Sequence, residues 1–239
     1  LIISSTCLGN TKIFKLLESE DVLNTLEVLK NLKIKIIKNN DYYEIFGQGG
    51  FFSDPQNILH FGNSGTGVRL MAGLLSTSEI NATLTGDKSL SSRPMKRIID
   101  PLQEMNVSIT HNNGLLPIKV FNRNNLHIPI NHTLNVGSAQ VKSCILLAAL
   151  NTKGTTKIVE KIPSRDHTEI MLKFLGANLI KEKNVIKLTS PNFLKPKELK
   201  IPGDFSSAAF VIVAVLLSKK SKVTLKDVGL NYYRTGLLD

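Results

Sequence analysis

The sequence predicts an α/β fold made of three strand–helix–strand–helix units, and two observations carry that prediction. Three stretches share one layout: a strand pattern, a turn, an amphipathic helix, then another strand. Between them lie helices of a second kind, apolar on nearly every face. A helix with one apolar stripe covers a surface, whereas a helix apolar all round belongs inside a domain. Central helices should therefore be enclosed by strands and amphipathic helices.

The first copy runs from Lys12, with Thr11 in front, to Ile37; the second from Ala82 to Ile109; the third from Thr155 to Ile180. Leu32, Met105 and Leu175 hold the same place at each helix end, 73 and then 70 residues apart. In the second copy Met95, Ile98, Ile99, Leu102 and Met105 form the stripe, with Lys96, Arg97, Asp100 and Glu104 facing away. Pro101 removes a backbone hydrogen bond there and should kink the helix. The central helices read Gly62 to Leu75 (GNSGTGVRLMAGLL), Gly137 to Leu150 (GSAQVKSCILLAAL) and Gly203 to Leu217 (GDFSSAAFVIVAVLL). Leu1 to Cys7 looks like the back half of the first unit's central helix, and a fourth copy is expected to start at Lys222 and to be cut off at Asp239.

Composition fits this reading and excludes several classes. Of 239 residues, 42% are hydrophobic, enough to bury a core, so a disordered chain is not expected. The longest apolar run, Ala208 to Leu217, is about half the roughly twenty residues of a membrane span. The opening residues do not read as a signal peptide, and none is expected. Cys7 and Cys144 sit in apolar stretches without metal-ligand spacing, which fits a reducing compartment and no metal. The net charge of +11 admits nucleic acid, an anionic membrane surface or phosphorylated small molecules as partners. With no Trp and no basic stripe interleaved with aromatics, nucleic acid is the weakest of the three.

The starts of the central helices are the candidate site. A helix N-terminus presents unpaired N–H groups and a partial positive charge, and small residues let an anion approach them. Gly62-Asn63-Ser64-Gly65-Thr66, Gly137-Ser138-Ala139-Gln140 and Gly203-Asp204 stand at corresponding places in successive repeats. Helix capping alone accounts for any one of them; Asn63 and Gln140 exceed what capping needs. Arg93 and Arg165 precede surface helices at nearly equivalent positions, where a guanidinium can form a bidentate pair with phosphate or carboxylate, or an ion pair with a neighbouring acid. Arg69, one turn into a central helix, reads as a brace. No nucleophile–base arrangement stands out. The residues alone support a repeat domain that binds phosphate or carboxylate.

GNSGTGVRLMAGLL, GDKSLSSRPMKRIIDPLQEM, SAQVKSCILLAAL, SRDHTEIMLKFLGANL, PGDFSSAAF and RTGLLD together resemble the 5-enolpyruvylshikimate-3-phosphate synthase family, in its class II form, collinearly along the whole sequence. The resemblance implies an inside-out α/β barrel lobe, the enolpyruvyl transferase fold. Residues 1–202 would be a nearly complete substrate-binding lobe, and 203–239 the first helix and strand of a second, incomplete lobe. It implies transfer of the enolpyruvyl group of phosphoenolpyruvate to the 5-hydroxyl of shikimate 3-phosphate with release of phosphate, in the cytoplasm and without cofactor or metal. Gly65, Arg93 and Gln140 would meet phosphoenolpyruvate; Ser138, Ala139, Gln140 and Arg165 would hold shikimate 3-phosphate; Asn63 and Asp204 would border the cleft. Catalytic proton-transfer groups would lie outside this sequence, so the missing second lobe is the expected partner, with neither nucleic acid nor membrane implied. The sister transferase acting on UDP-N-acetylglucosamine shares the chemistry, but its reactive-Cys loop has no counterpart here. A non-catalytic anion-binding module and a basic nucleic-acid binder are the remaining alternatives.

Overall fold

A computed structural model describes residues 1–121, 126–191 and 193–238. Asp239, the last residue of the RTGLLD motif, lies outside the described residues.

Three four-stranded sheets surround a core of buried helices, one sheet per repeat. The second repeat shows the plan. Strand β4 (Leu59–His60) leads into helix α3 (Gly65–Ser76), which returns to β5 (Asn81–Thr85) parallel to β4. A short helix α4 (Lys88–Ser91) and the amphipathic α5 (Lys96–Glu104) follow, then the hairpin β6 (Ile109–Asn112) and β7 (Leu115–Phe121). The sheet order is β4-β5-β7-β6, one parallel pair followed by two antiparallel ones. Parallel neighbours need a long crossover, and the apolar helix supplies it.

The third repeat repeats the plan with β8 (Asn131–Leu134), α6 (Ala139–Ala149), β9 (Gly154–Glu160), α7 (His167–Phe174), β10 (Leu179–Glu182) and β11 (Val185–Ser190). Its order is β8-β9-β11-β10. The first repeat opens with the four-residue helix α1 (Ile2–Ser5), followed by β1 (Leu8–Phe14), α2 (Glu20–Asn31), β2 (Lys35–Lys38) and β3 (Tyr42–Gln48). Its missing parallel strand comes from the other end of the body. β12 (Leu199–Lys200) lies beside β1 with Ile13 opposite Leu199 and Phe14 opposite Lys200, closing the ring of repeats.

The two helix classes separate as their patterns require. Every residue of α6 from Val141 to Ala149 is buried, and α3 is buried from Gly67 through Ser76 except at Leu70. The pair cross so closely that a Cβ on Gly73 would stand 2.2 Å from the Cys144 carbonyl oxygen, so only glycine fits that crossing. In α5 the predicted stripe is buried, while Lys96, Arg97 and Glu104 are exposed and Asp100 is partly so. Leu32, Met105 and Leu175 each form the C-cap of their surface helix and each is fully buried. That places the repeat register where the sequence pattern puts it.

Two expectations are corrected. The central helices begin later than the glycines at 62, 137 and 203. Their N-caps are Ser64, Ser138 and Asp204, each accepting from a backbone N–H three residues on. Aligned on those caps, Gly65 corresponds to Ala139, and Thr66 to Gln140. The segment from Lys222 forms no strand among the described residues; only an isolated bridge joins Gly203 and Val228. A strand needs a neighbour along its length for its backbone groups, and among the described residues the only ladder contact is this one at Gly203. After β12, helix α8 (Phe205–Leu216) and two 3₁₀ turns, Tyr232–Arg234 and Gly236–Leu238, complete the described chain.

Candidate substrate-binding site

The starts of α3 and α6 converge at one end of the body. Their caps are local: Ser64 Oγ accepts from the Gly67 N–H at 3.1 Å, and Ser138 Oγ from the Val141 N–H at 3.4 Å. Such caps contribute about 1 kcal/mol each and leave the first-turn N–H groups aimed outward.

Arg69 ties the two starts together. Its Nη1 donates to the Gly65 carbonyl at 3.0 Å and to Gln140 Oε1 at 3.2 Å, and its Nη2 donates to the Pro94 carbonyl at 3.3 Å. Gln140 Nε2 in turn donates to Thr66 Oγ1 at 2.9 Å. The bracing role expected of Arg69 is thus met, and with more consequence than a brace. The side chain is 3% exposed, and all its acceptors are neutral oxygens. Burial, then repulsion from Arg97 and Arg93, pulls its pKa down from the usual arginine value, yet a guanidinium stays charged. A buried cation bonded only to neutral oxygens favours an incoming anion.

Arg93 stands beside it. Its Nη2 donates to Asn63 Oδ1, and Asn63 Nδ2 donates to Asp87 Oδ2 at 3.0 Å. A Cβ built on Gly65 would stand 2.9 Å from Arg69 Nη1 and 3.1 Å from Arg93 Nη1. A side chain at position 65 would therefore press on both guanidinium groups. Gly65, Asn63, Arg93 and Gln140 form one connected group.

On the other side of Gln140 lies an open cavity of about 210 Å³ lined by Thr66, Leu70, Ala139, Gln140, Ser143, Arg165, His167 and Thr168. Arg165 is exposed, and among the described residues its guanidinium has no hydrogen bond or ion pair. Partial loss of water, then the Arg165 charge, lowers the His167 pKa from its ordinary value. Asp204 does not line this cavity. It caps α8, accepting from the Ser207 N–H at 3.0 Å, and pairs with Arg234 at 3.2 Å. Thr66 belongs to the first candidate helix start, whereas Leu70, Ser143, His167 and Thr168 join the site without having been expected there. The correspondence of Thr66 with Gln140 is visible once the caps are aligned, whereas the α7 residues come close only through tertiary packing.

Two cationic positions thus flank Gln140: Arg69 with Arg93 at the α3 start, and Arg165 at the α6 start. Cys7 and Cys144 are both fully buried, which leaves neither thiol poised as a nucleophile. Among the described residues no cluster of three potential metal ligands occurs, and no helix is long and apolar enough to cross a membrane.

Comparison with known proteins agrees with this architecture. The family model described as EPSP synthase (3-phosphoshikimate 1-carboxyvinyltransferase) matches residues 1–239. Proteins named 3-phosphoshikimate 1-carboxyvinyltransferase from Streptococcus pyogenes serotype M4 (strain MGAS10750) and serotype M49 (strain NZ131) are 44% identical over 242 residues, which is 100% of this chain and 56% of each relative. The 2.37 Å structure of EPSP synthase from Acinetobacter baumannii is similar with a TM-score of 0.92 at 37% identity, over 99% of this chain and 54% of that one. The chain spans about half the length of the curated relatives it matches. With the repeat plan, the paired helix starts and a match along its whole length, the chain belongs to the EPSP synthase family.

Proposed function

We propose that the chain is the shikimate 3-phosphate-binding part of an enzyme that transfers the enolpyruvyl group of phosphoenolpyruvate to the 5-hydroxyl of that substrate, releasing phosphate. The observation that carries this reading is the pair of guanidinium positions flanking Gln140, each bordered by a helix start. Two phosphorylated substrates need two such places. Arg93 and the Gly65 N–H would take phosphoenolpyruvate; Arg165, Ser138 and Ala139 would take the 3-phosphate. Gln140, fixed by Arg69 and Thr66, would touch both and set their separation.

The chemistry requires a proton to reach the methylene carbon of phosphoenolpyruvate while the 5-hydroxyl attacks the adjacent carbon. The resulting tetrahedral intermediate then gives up a proton from the newly formed methyl group as its bond to phosphate breaks, which restores the double bond of the enolpyruvyl product and releases phosphate. Residues of this chain contribute orientation and charge neutralisation, which supply a large part of many barrier reductions. The proton-transfer groups belong, in this reading, to a second lobe. Residues 1–202 form the first lobe, and 203–239 begin the second.

Calorimetric titration tests the assignment. The 239-residue chain is expected to bind shikimate 3-phosphate at one site and to release no phosphate from the substrate pair above background. Absence of binding, or equal affinity for shikimate without its phosphate, would overturn it.

A further inference from the structure

Lys142 is the only charged residue of α6 and is fully buried, and the substrate reading gives it no task. Its Nζ lies 3.0 Å from Glu160 Oε2 and 2.8 Å from Glu169 Oε1, and it donates to the Ser164 carbonyl at 3.2 Å. The placement of these partners matters. Glu160 is the last residue of β9, Glu169 is the third residue of α7, and Ser164 lies within the connection 161–166 between them. One ammonium group therefore grips both ends and the middle of the segment that carries Arg165.

Neighbouring bonds tighten the same segment. Ser164 Oγ donates to Glu160 Oε1 at 2.5 Å, so the residue before Arg165 is held by side chain and backbone. Asp166, immediately after it, pairs with Lys181 at 3.0 Å. Ser143, next to Lys142 on α6, shares a 2.6 Å hydrogen bond with Thr168 of α7. Both neighbours of Arg165 are anchored while its guanidinium stays open to the cavity.

Stability alone is a poor account of this cluster. A buried ion pair often adds no more stability than apolar side chains of equal volume, although removing one partner is costly. The remainder of the buried α6 stretch is apolar except for Ser143, so an apolar residue at 142 would suit the packing. What an apolar residue cannot do is bind two carboxylates and a loop carbonyl at fixed distances.

We infer that Lys142 is a positioning residue: with Glu160 and Glu169 it clamps the Arg165 segment against the start of α6, setting the distance between Arg165 and Ser138–Gln140. The nature of the anion rests on the proposed function, but the clamp can be read without any ligand.

Two measurements on the 239-residue chain test it, using Lys142→Met and Ser164→Ala. The second variant removes the bond that ties the segment to Glu160, the carboxylate Lys142 also holds, so it loosens that arm of the clamp without emptying the core and serves if the first fails to fold. Without ligand, tryptic cleavage after Arg165 should rise roughly tenfold relative to cleavage after Lys219 in the exposed tail, because proteolysis tracks local opening. With ligand, either variant should weaken shikimate 3-phosphate binding roughly tenfold when Arg165 is present and less than about twofold in the Arg165→Ala background, the non-additivity expected of coupled residues. Phosphoenolpyruvate binding should stay within about twofold, since its Arg93 position is anchored elsewhere. Unchanged cleavage after Arg165, or equal weakening with and without Arg165, would overturn the clamp. Faster cleavage combined with an Arg165→Ala variant that binds shikimate 3-phosphate normally would keep the clamp and overturn the substrate assignment.

Discussion

Helices α6 and α8 have nearly the same kind of sequence and opposite fates. Both open on a capping side chain, Ser138 or Asp204, and continue through an almost unbroken apolar run. In α6 nine consecutive residues are buried; in α8 only Phe205 and Ala208 are, while Phe210, Leu216 and Leu217 are 81%, 75% and 82% exposed. The contrast separates two things that a hydrophobic pattern conflates. Capping and helix formation are local, whereas burial depends on what the rest of the fold places nearby. Among the described residues three sheets enclose α6 and nothing comparable encloses α8.

Truncation should expose that difference most strongly. Leu146→Ala in α6 is expected to cost about 2–5 kcal/mol of stability, and Leu217→Ala beside α8 less than about 0.5 kcal/mol, as read by denaturant midpoints. Comparable losses at both sites would show that α8 is covered in solution. Added bulk sharpens the point. Gly73→Ala, facing a carbonyl oxygen at 2.2 Å, should destabilise by about 3 kcal/mol, whereas Gly236→Ala, with nothing within 4 Å, should be silent.

Ligand binding carries the comparison to the site. Arg165→Ala should lower shikimate 3-phosphate affinity by about 1.5–3 kcal/mol, the range of a charge-assisted hydrogen bond. Arg234→Ala in the tail should change it little; a larger tail effect would move the site toward Asp204. Gly65→Ala places a methyl against Arg69 and Arg93 and should weaken phosphoenolpyruvate binding by about 1–3 kcal/mol.

The smallest effect joins the two regions. Burial disfavours ionisation of Asp166, but hydrogen bonds from Lys181 and from Asn231 of the tail outweigh it and hold the carboxyl below its ordinary value of 3.8. A depressed carboxylate stabilises the fold above that value and loses its contribution as pH falls further, through the folded-state pKa. The difference in thermal midpoint between the parent chain and Asp166→Asn should therefore shrink only below about pH 3.8. A difference that instead closes near pH 6 would mean that another group controls the contact.

Much of this architecture was legible from residue patterns. The stripe of α5 and the matched C-caps Leu32, Met105 and Leu175 follow from helical periodicity, which is local. The helix starts were legible as anion-binding candidates, but their boundaries were read too early because glycine marks an entry without being the cap. Lys142 could have been found: a lone charge in an apolar helix demands a buried counter-charge. The partners Glu160 and Glu169 could not, because sheet and helix bring them together across sequence. The pairing of β12 with β1 was invisible for a simpler reason, since two residues carry no periodicity.

That two-residue pairing has a consequence for how the body assembles. Most repeat proteins can fray from an end, because each unit touches only its neighbours in line. Here Leu199 and Lys200 stitch the last unit to the first, so the units form a loop without a free end and should melt together. During synthesis, the earliest sheet must also wait with an open edge until almost the whole body has been made, and that edge is where a folding helper or a misfolding encounter would act first.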